Sequence, residues 1–428
     1  MVQQLKQKYL ASCCVWIIAC LPVLSLAETP AAPDKSPDVS SEYPAEPTVT
    51  EETREREQGA EEDPLAQRQI DMVENLEDVI EEPDAFSLYG SIRIRHRTTE
   101  QTSFWGDGGS RVGVDGQWQY LPEYWLFGRA EAGFNILDKL DLLFDSGDRP
   151  PGAKFGDDVF LRLAYVGIET PEYMLVAGKN WSTYYRVTSF TDRFQGTGAS
   201  ASGTYNAGTD GGYTGTGRAD SALQTRVIID AFEDNEDFKP LSLNIQIQQD
   251  RPIPQIDNAH YKTSYGLSSV LHTNNNFAAG IAYNNAGIDE EDLPALKQYG
   301  IDGNATALAL GMRWYDDEWY LGTVVSWLDN HETTDKLIYF DGTGMEIYGQ
   351  KRLHKQWWGV GGWNYLKPDS SETQAGVFKI NYYVLGVRYS FRKFSQMIFA
   401  NIRFENSRLQ DGTRPGNVYT IGVRWDLP

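Results

Sequence analysis

Phe86-Ser87-Leu88-Tyr89-Gly90-Ser91-Ile92-Arg93-Ile94-Arg95 sorts into two faces when read with a period of two. Phe86, Leu88, Gly90, Ile92 and Ile94 fall on one face; Ser87, Tyr89, Ser91, Arg93 and Arg95 fall on the other. Successive side chains of a β-strand point to opposite sides, so this stretch reads as a strand with one apolar and one wet face. The pattern recurs. Leu308, Leu310, Met312 and Trp314 alternate with Ala307, Ala309, Gly311 and Arg313. Ile398, Ala400, Ile402 and Phe404 alternate with Asn401, Arg403 and Glu405. The last strand sets Tyr419, Ile421, Val423 and Trp425 against Thr420, Gly422, Arg424 and Asp426.

Such segments begin near 86, 109, 123, 158, 172, 219, 240, 259, 276, 304, 318, 342, 356, 375, 395 and 416. That is sixteen, an even number, with the weakest patterning between 331 and 356. Tight turns at 121–122, 169–171, 316–317 and 392–395 alternate with long loops near 137–157, 285–303 and 329–341. Aromatic residues gather at strand ends, as in Trp118 with Tyr120, Trp314 with Tyr315, Trp357 with Trp358, and Tyr389 with Phe391. After residue 27 no stretch approaches 18 consecutive apolar residues, which excludes a helical membrane protein. Mean hydropathy is −0.47 and 23% of residues are charged, as a barrel showing lipid only every second side chain allows. A soluble sandwich has the same alternation. An even strand count, short turns at one end and long loops at the other point instead to an all-β, transmembrane antiparallel β-barrel of about 16 strands.

The beginning of the chain supports export. Lys6 and Lys8 precede an apolar run from Tyr9 to Leu26, and Ser25-Leu26-Ala27 offers a cleavage site before Glu28. A second reading stays open: Ile17-Ile18-Ala19-Cys20 resembles a lipobox, although apolar residues follow Cys20. Cys13, Cys14 and Cys20 all lie in this segment, so the mature chain has neither a disulfide framework nor a thiolate metal site. The organisation expected is a signal peptide over 1–27, an acidic disordered linker over 28–63, an amphipathic helix over 64–83 and the barrel over 84–428. In the helix, Leu65, Met72, Leu76 and Val79 suit either a nascent helix in a flexible arm or a trimeric coiled coil. The net charge of −22 is uneven: residues 28–85 hold 19 acids and 4 bases, and residues 86–428 carry −9. Nothing here resembles a nucleic-acid binder.

The strands also resemble a known family, the general, trimeric, 16-stranded porins of Gram-negative outer membranes. Leu88-Tyr89-Gly90 is similar to the family's opening strand, and Ser110-Arg111-Val112-Gly113-Val114-Asp115-Gly116 to its second. Phe160 to Gly167, then Gly178-Lys179-Asn180-Trp181 and Tyr185, resemble strands four and five. Thr191-Asp192 looks like the entry to the third loop, and Gly217-Arg218 through Arg226 like the return strand. The resemblance implies a third loop folded into the barrel, with wall arginines facing loop acids at a constriction. Carried over by position, the constriction is Arg111, Arg162, Arg218 and Glu131 on the wall, with Asp192 and Tyr185 on the loop. Each arginine is expected on the wet face of its strand.

Two departures stand out. Arg193-Phe194-Gln195-Gly196 replaces the family's second loop acid, and the loop to Gly217 is longer and rich in Gly, Ser and Thr. A mobile external loop is the other reading of that segment. The function implied is passive diffusion of ions and small hydrophilic solutes, with weak cation preference. A substrate-selective anion or saccharide channel is the alternative. No cofactor or metal is expected, nor enzymatic activity: Gly-x-Ser-x-Gly and His-Glu-x-x-His motifs are missing, and His96, His260, His272, His331 and His354 are scattered, as surface residues would be. The implied partners are outer-membrane lipid and lipopolysaccharide, the barrel-assembly machinery and two further copies in a homotrimer. The location implied is the outer membrane, with the N-terminal arm in the periplasm.

Overall fold

A computed structural model of the chain describes residues 85–134, 159–232, 237–392 and 396–427. The expected signal peptide, linker, helix and 137–157 loop lie outside the described residues. The barrel opens with β1 (Ala85–Thr98), β2 (Ser103–Asp107 continued by Arg111–Leu121), β3 (Tyr124–Phe134), β4 (Val159–Glu169) and β5 (Tyr173–Trp181). It continues through β6 (Arg218–Ile229), β7 (Leu241–Gln248), β8 (Ser264–His272), β9 (Phe277–Ala286) and β10 (Ala305–Tyr315). Then come β11 (Trp319–Thr333), β12 (Tyr339–His354), β13 (Trp357–Pro368), β14 (Ile380–Arg392), β15 (Gln396–Glu405) and β16 (Val418–Leu427). Each strand is antiparallel to the next, and β1 closes the ring on β16 from Gly90↔Leu427 to Thr98↔Tyr419. Closure removes the free edges that an open sheet would expose.

Burial is inverted relative to a soluble sandwich. Phe86, Leu88, Val166, Leu310 and Ile421 are exposed on the outer surface, whereas Arg93, Arg95, Arg111 and Arg424 are buried inside. Such a surface is stable only where the outer solvent is itself apolar, so the barrel sits in lipid. Trp118, Tyr120, Tyr124 and Trp357 are exposed at the short-turn end and Trp105, Tyr265, Tyr383 and Tyr419 at the long-loop end, two interfacial girdles. Trp358 does not belong to them. It points inward, with the guanidinium groups of Arg352 and Arg388 over its ring at 4.8 and 5.6 Å.

Several strand boundaries differ from the sequence reading, for local reasons. β2 begins at Ser103 rather than near 109 and breaks at Gly108-Gly109. Gly109 has φ +97°, and the Asp107 carboxylate accepts the Gly109 and Ser110 N–H groups at 2.7 and 2.8 Å. The expected long loop at 329–341 is a five-residue connection, because β11 and β12 extend to Thr333 and from Tyr339. A bulge between Leu328 and Glu332, with Asn330 at φ 48°, breaks the alternation there and hides both strand ends. The strands expected from 259 and 375 start at Ser264 and Ile380, after a small ribbon at His260–Tyr261 and a short helical turn at Thr373–Ala375.

Candidate pore constriction

The segment between β5 and β6, residues 182–217, folds into the barrel and lies against its inner wall. Tyr184, Val187 and Phe190 are buried among Ala278, Ala282, Ala307, Ala309 and Val324 of β9, β10 and β11. Burying each of these larger side chains contributes about 2 kcal/mol. The wall makes room by being small. A Cβ on Gly280 or Gly311 would lie 2.8 Å from a Val187 methyl group, and one on Gly344 would collide with the Ala201 carbonyl oxygen. The inward Ala307, Ala309 and Gly311 thus form a seat rather than a wetted surface.

Polar side chains of the wall then hold the loop backbone. Tyr320 donates to the Phe190 carbonyl at 2.8 Å, and Ser326 donates to that of Ala201 at 2.9 Å. Glu346 accepts the Thr191 hydroxyl at 2.6 Å and the Ala201 N–H at 2.8 Å. Gln246 donates to Gly215, Asn284 to Thr214 and Asn401 to Gln195. His331 donates to the Gly203 carbonyl at 2.7 Å and is fully buried, and His272 is buried too. These two are not the surface residues that their scatter along the chain implied.

The opposite arc, from β14 through β16 and β1 to β6, carries the charge. Glu131 on β3 accepts Arg162 Nε at 2.7 Å and the Tyr89 hydroxyl at 2.9 Å, with Arg111 Nε at 3.5 Å. Arg111 reaches this point by simple alternation. Arg162 does not: strict parity would put it on the face of Val166, which is exposed outside. A register shift in the β3–β4 ladder, between Glu131↔Leu163 and Ala132↔Leu161, turns both Arg162 and Leu163 inward.

Asp192 and Tyr185 form a second group, on the loop. Asp192 accepts hydroxyls from Tyr205 at 2.7 Å and Tyr185 at 3.2 Å. Tyr185 stacks on Trp181 at 3.9 Å, and the Arg218 guanidinium lies 5.2 Å over Trp181. Arg218 and Lys179 bind the Asp210 carboxylate at 3.4 and 2.8 Å, which ties the loop to its base. Arg193, in the place of a loop acid, lies 3.9 Å over the Tyr320 ring and so faces the seat. Tyr205, Tyr89 and Asp210 were not assigned to the site from sequence, since the role of each is defined by a partner on another strand or elsewhere on the loop.

Burial pushes the Asp192 carboxyl up to about 7, with Glu346 adding to the rise and the two tyrosine hydroxyls and Arg218 only partly offsetting it. Protonation below about pH 7 removes a negative charge from the loop. Lowering the pH from 8 to 5.5 is therefore expected to move the reversal potential toward anions. In Asp192→Asn that movement should be largely lost; an unchanged pH response in the variant would place the titrating group elsewhere.

The barrel is similar to those of solved outer-membrane channels. OmpF of Salmonella typhi, solved with daunomycin, superposes with a TM-score of 0.63 at 20% identity, covering 80% of this chain and 97% of that one. Its fold is that of the outer-membrane porins. An anion-selective porin of Comamonas acidovorans gives 0.58 at 12% identity over 80% and 100% of the two chains. The outer-membrane protein OmpT of Vibrio cholerae, in its trimer form, gives 0.54 at 14% over 81% and 100%. No protein-family model matches the sequence, and neither does a curated protein. What is shared with these outer-membrane proteins at such identities is the fold.

Proposed function

We propose that the chain forms a water-filled channel across the outer membrane for passive diffusion of ions and small hydrophilic solutes. The observation that carries this reading is the division of the barrel interior. One arc seats the loop with small residues and with polar side chains that bond its backbone, and the other is lined by arginines and carboxylates that need a hydrated surface. Arg111, Arg162, Arg218 and Glu131 on the wall, with Asp192 and Tyr185 on the loop, form its narrowest part. The working unit is a homotrimer. Support comes from the outer face of β2 to β5, where Gly116, Gly128 and Ala177 leave a concavity bordered by Phe86, Trp118 and Val166, and from the trimer form of the Vibrio cholerae protein. Lipopolysaccharide at the outer girdle and the barrel-assembly machinery are the further partners of such a barrel.

The test is reconstitution of the purified full chain in planar bilayers and liposomes. Discrete conductance steps, swelling rates that fall with solute size and an oligomer band on unboiled gels are expected. A protein that conducts nothing, or that hydrolyses the lipid or peptide supplied to it, would overturn the proposal.

A further inference from the structure

We propose that this channel favours small multivalent oxyanions, phosphates or carboxylates bearing two or more negative charges, which it guides along an arginine track on β1 and β16. The inference rests on the channel reading above and adds its solute class.

Arg93, Arg95 and Arg97 take three consecutive inward positions of β1, each 5% exposed. Alternate residues of a strand lie about 7 Å apart, so the three guanidinium groups form a column along the barrel wall rather than one cluster. Arg424 faces Arg93 directly across the β1–β16 ladder, and Arg111 faces Ser91 across β1–β2. The column passes the inserted loop at Arg95, whose guanidinium donates to the Gly196 carbonyl at 3.3 Å.

The balance of charge along this surface is positive. Among the described residues twelve arginines are buried, and six carboxylates, Asp115, Glu131, Glu169, Asp210, Glu405 and Asp426, pair with eight of them, so cations outnumber acids on the wall. On the track itself, Asp426 is shared between Arg93 at 3.6 Å and Arg424 at 2.8 Å. The negative net charge of the barrel region misleads about its lumen, because acids such as Glu290, Glu291 and Asp292 sit on an exposed loop. The weak cation preference expected from composition is thereby replaced by an anion preference.

Spacing and donor chemistry then select among anions. A guanidinium presents a planar fork that pairs in bidentate fashion with phosphate or carboxylate oxygens, and chloride has no matching geometry. Neighbouring arginines about 7 Å apart lie within the Debye length of about 8 Å at physiological salt, so a divalent anion feels two at once. Such an anion can exchange one contact at a time while moving along the column, as repeated weak sites require for conduction.

The experiment uses the full chain in planar bilayers under a potassium chloride gradient, with tripolyphosphate or tricarballylate added to one side. The expected result is an anion-directed reversal potential and a chloride current blocked by both compounds. In Arg95→Ser/Arg97→Ser the blocking concentration should rise about tenfold, the loss of roughly one charge-assisted contact. His96→Ser, altering an outward residue of the same strand, should block as the parent does and controls for barrel integrity. Block by one compound alone supports the track and confines the class to that oxyanion. A cation-directed potential without block overturns the inference and leaves the channel standing, and block unaffected by the double substitution overturns the assignment to β1. Absence of any conductance removes the channel reading instead.

Discussion

Gly344→Leu is expected to raise single-channel conductance severalfold and to admit solutes that the parent channel excludes. Gly344 points inward from β12, at the place where the loop backbone comes closest to the wall. A Cβ there would collide with the Ala201 carbonyl oxygen, and Glu346 and Ser326 hold that same stretch of loop. Packed interiors do not yield by a whole side chain, so the loop must leave its seat. Leaving forfeits the bonds from Ser326 and to Glu346, about 1 kcal/mol each. The strand itself is not weakened, because leucine suits a β-strand better than glycine does and the register with Ser326 and Leu366 is a backbone matter. Conductance and liposome swelling check the outcome, with a heat-modifiable band showing that the barrel has assembled. Parent-like conductance in an assembled Gly344→Leu barrel would mean that the loop does not set the width of the channel.

The second large effect concerns the outer face. Leu310 lies midway along β10 and is exposed on the lipid side. Leu310→Arg is expected to destabilise the folded barrel by about 2–4 kcal/mol, the cost of an arginine facing lipid near the bilayer midplane. The measurement is reversible urea unfolding in phospholipid bilayers, with Glu290→Arg, on an exposed loop, as the comparison. Equal stability of the two variants would contradict a lipid-facing β10.

Of the fold, the local part was legible. Alternation at Phe86–Arg95, Ala307–Trp314 and Tyr419–Asp426 depends only on neighbours along one strand, and all sixteen strands appear in the expected order. Which face meets lipid was not contained in the alternation; export, even strand number and loop asymmetry had to supply it, and the inverted burial now states it directly. Where a bulge interrupts the period, the local signal fails. The β11–β12 ends were hidden by one such irregularity, and Arg162 owes its inward direction to another.

The site was legible only as positions. Arg111, Glu131 and Arg162 are joined on the wall, and Asp192 and Tyr185 on the loop, yet their placement depends on contacts that alternation cannot encode. Thr191 meets Glu346 across 155 residues of chain, and Asn401 meets Gln195 across 206. The strands, their number and the two-faced character of each follow from the residues alone, because a period of two is written residue by residue. Packing across the closed barrel makes Gly280, Gly311 and Gly344 the seat of a loop, encloses Asp192 between tyrosines and lines up the arginines of β1 on the inner wall. Each of these depends on which distant side chain fills the space opposite, and that is settled only when the barrel closes.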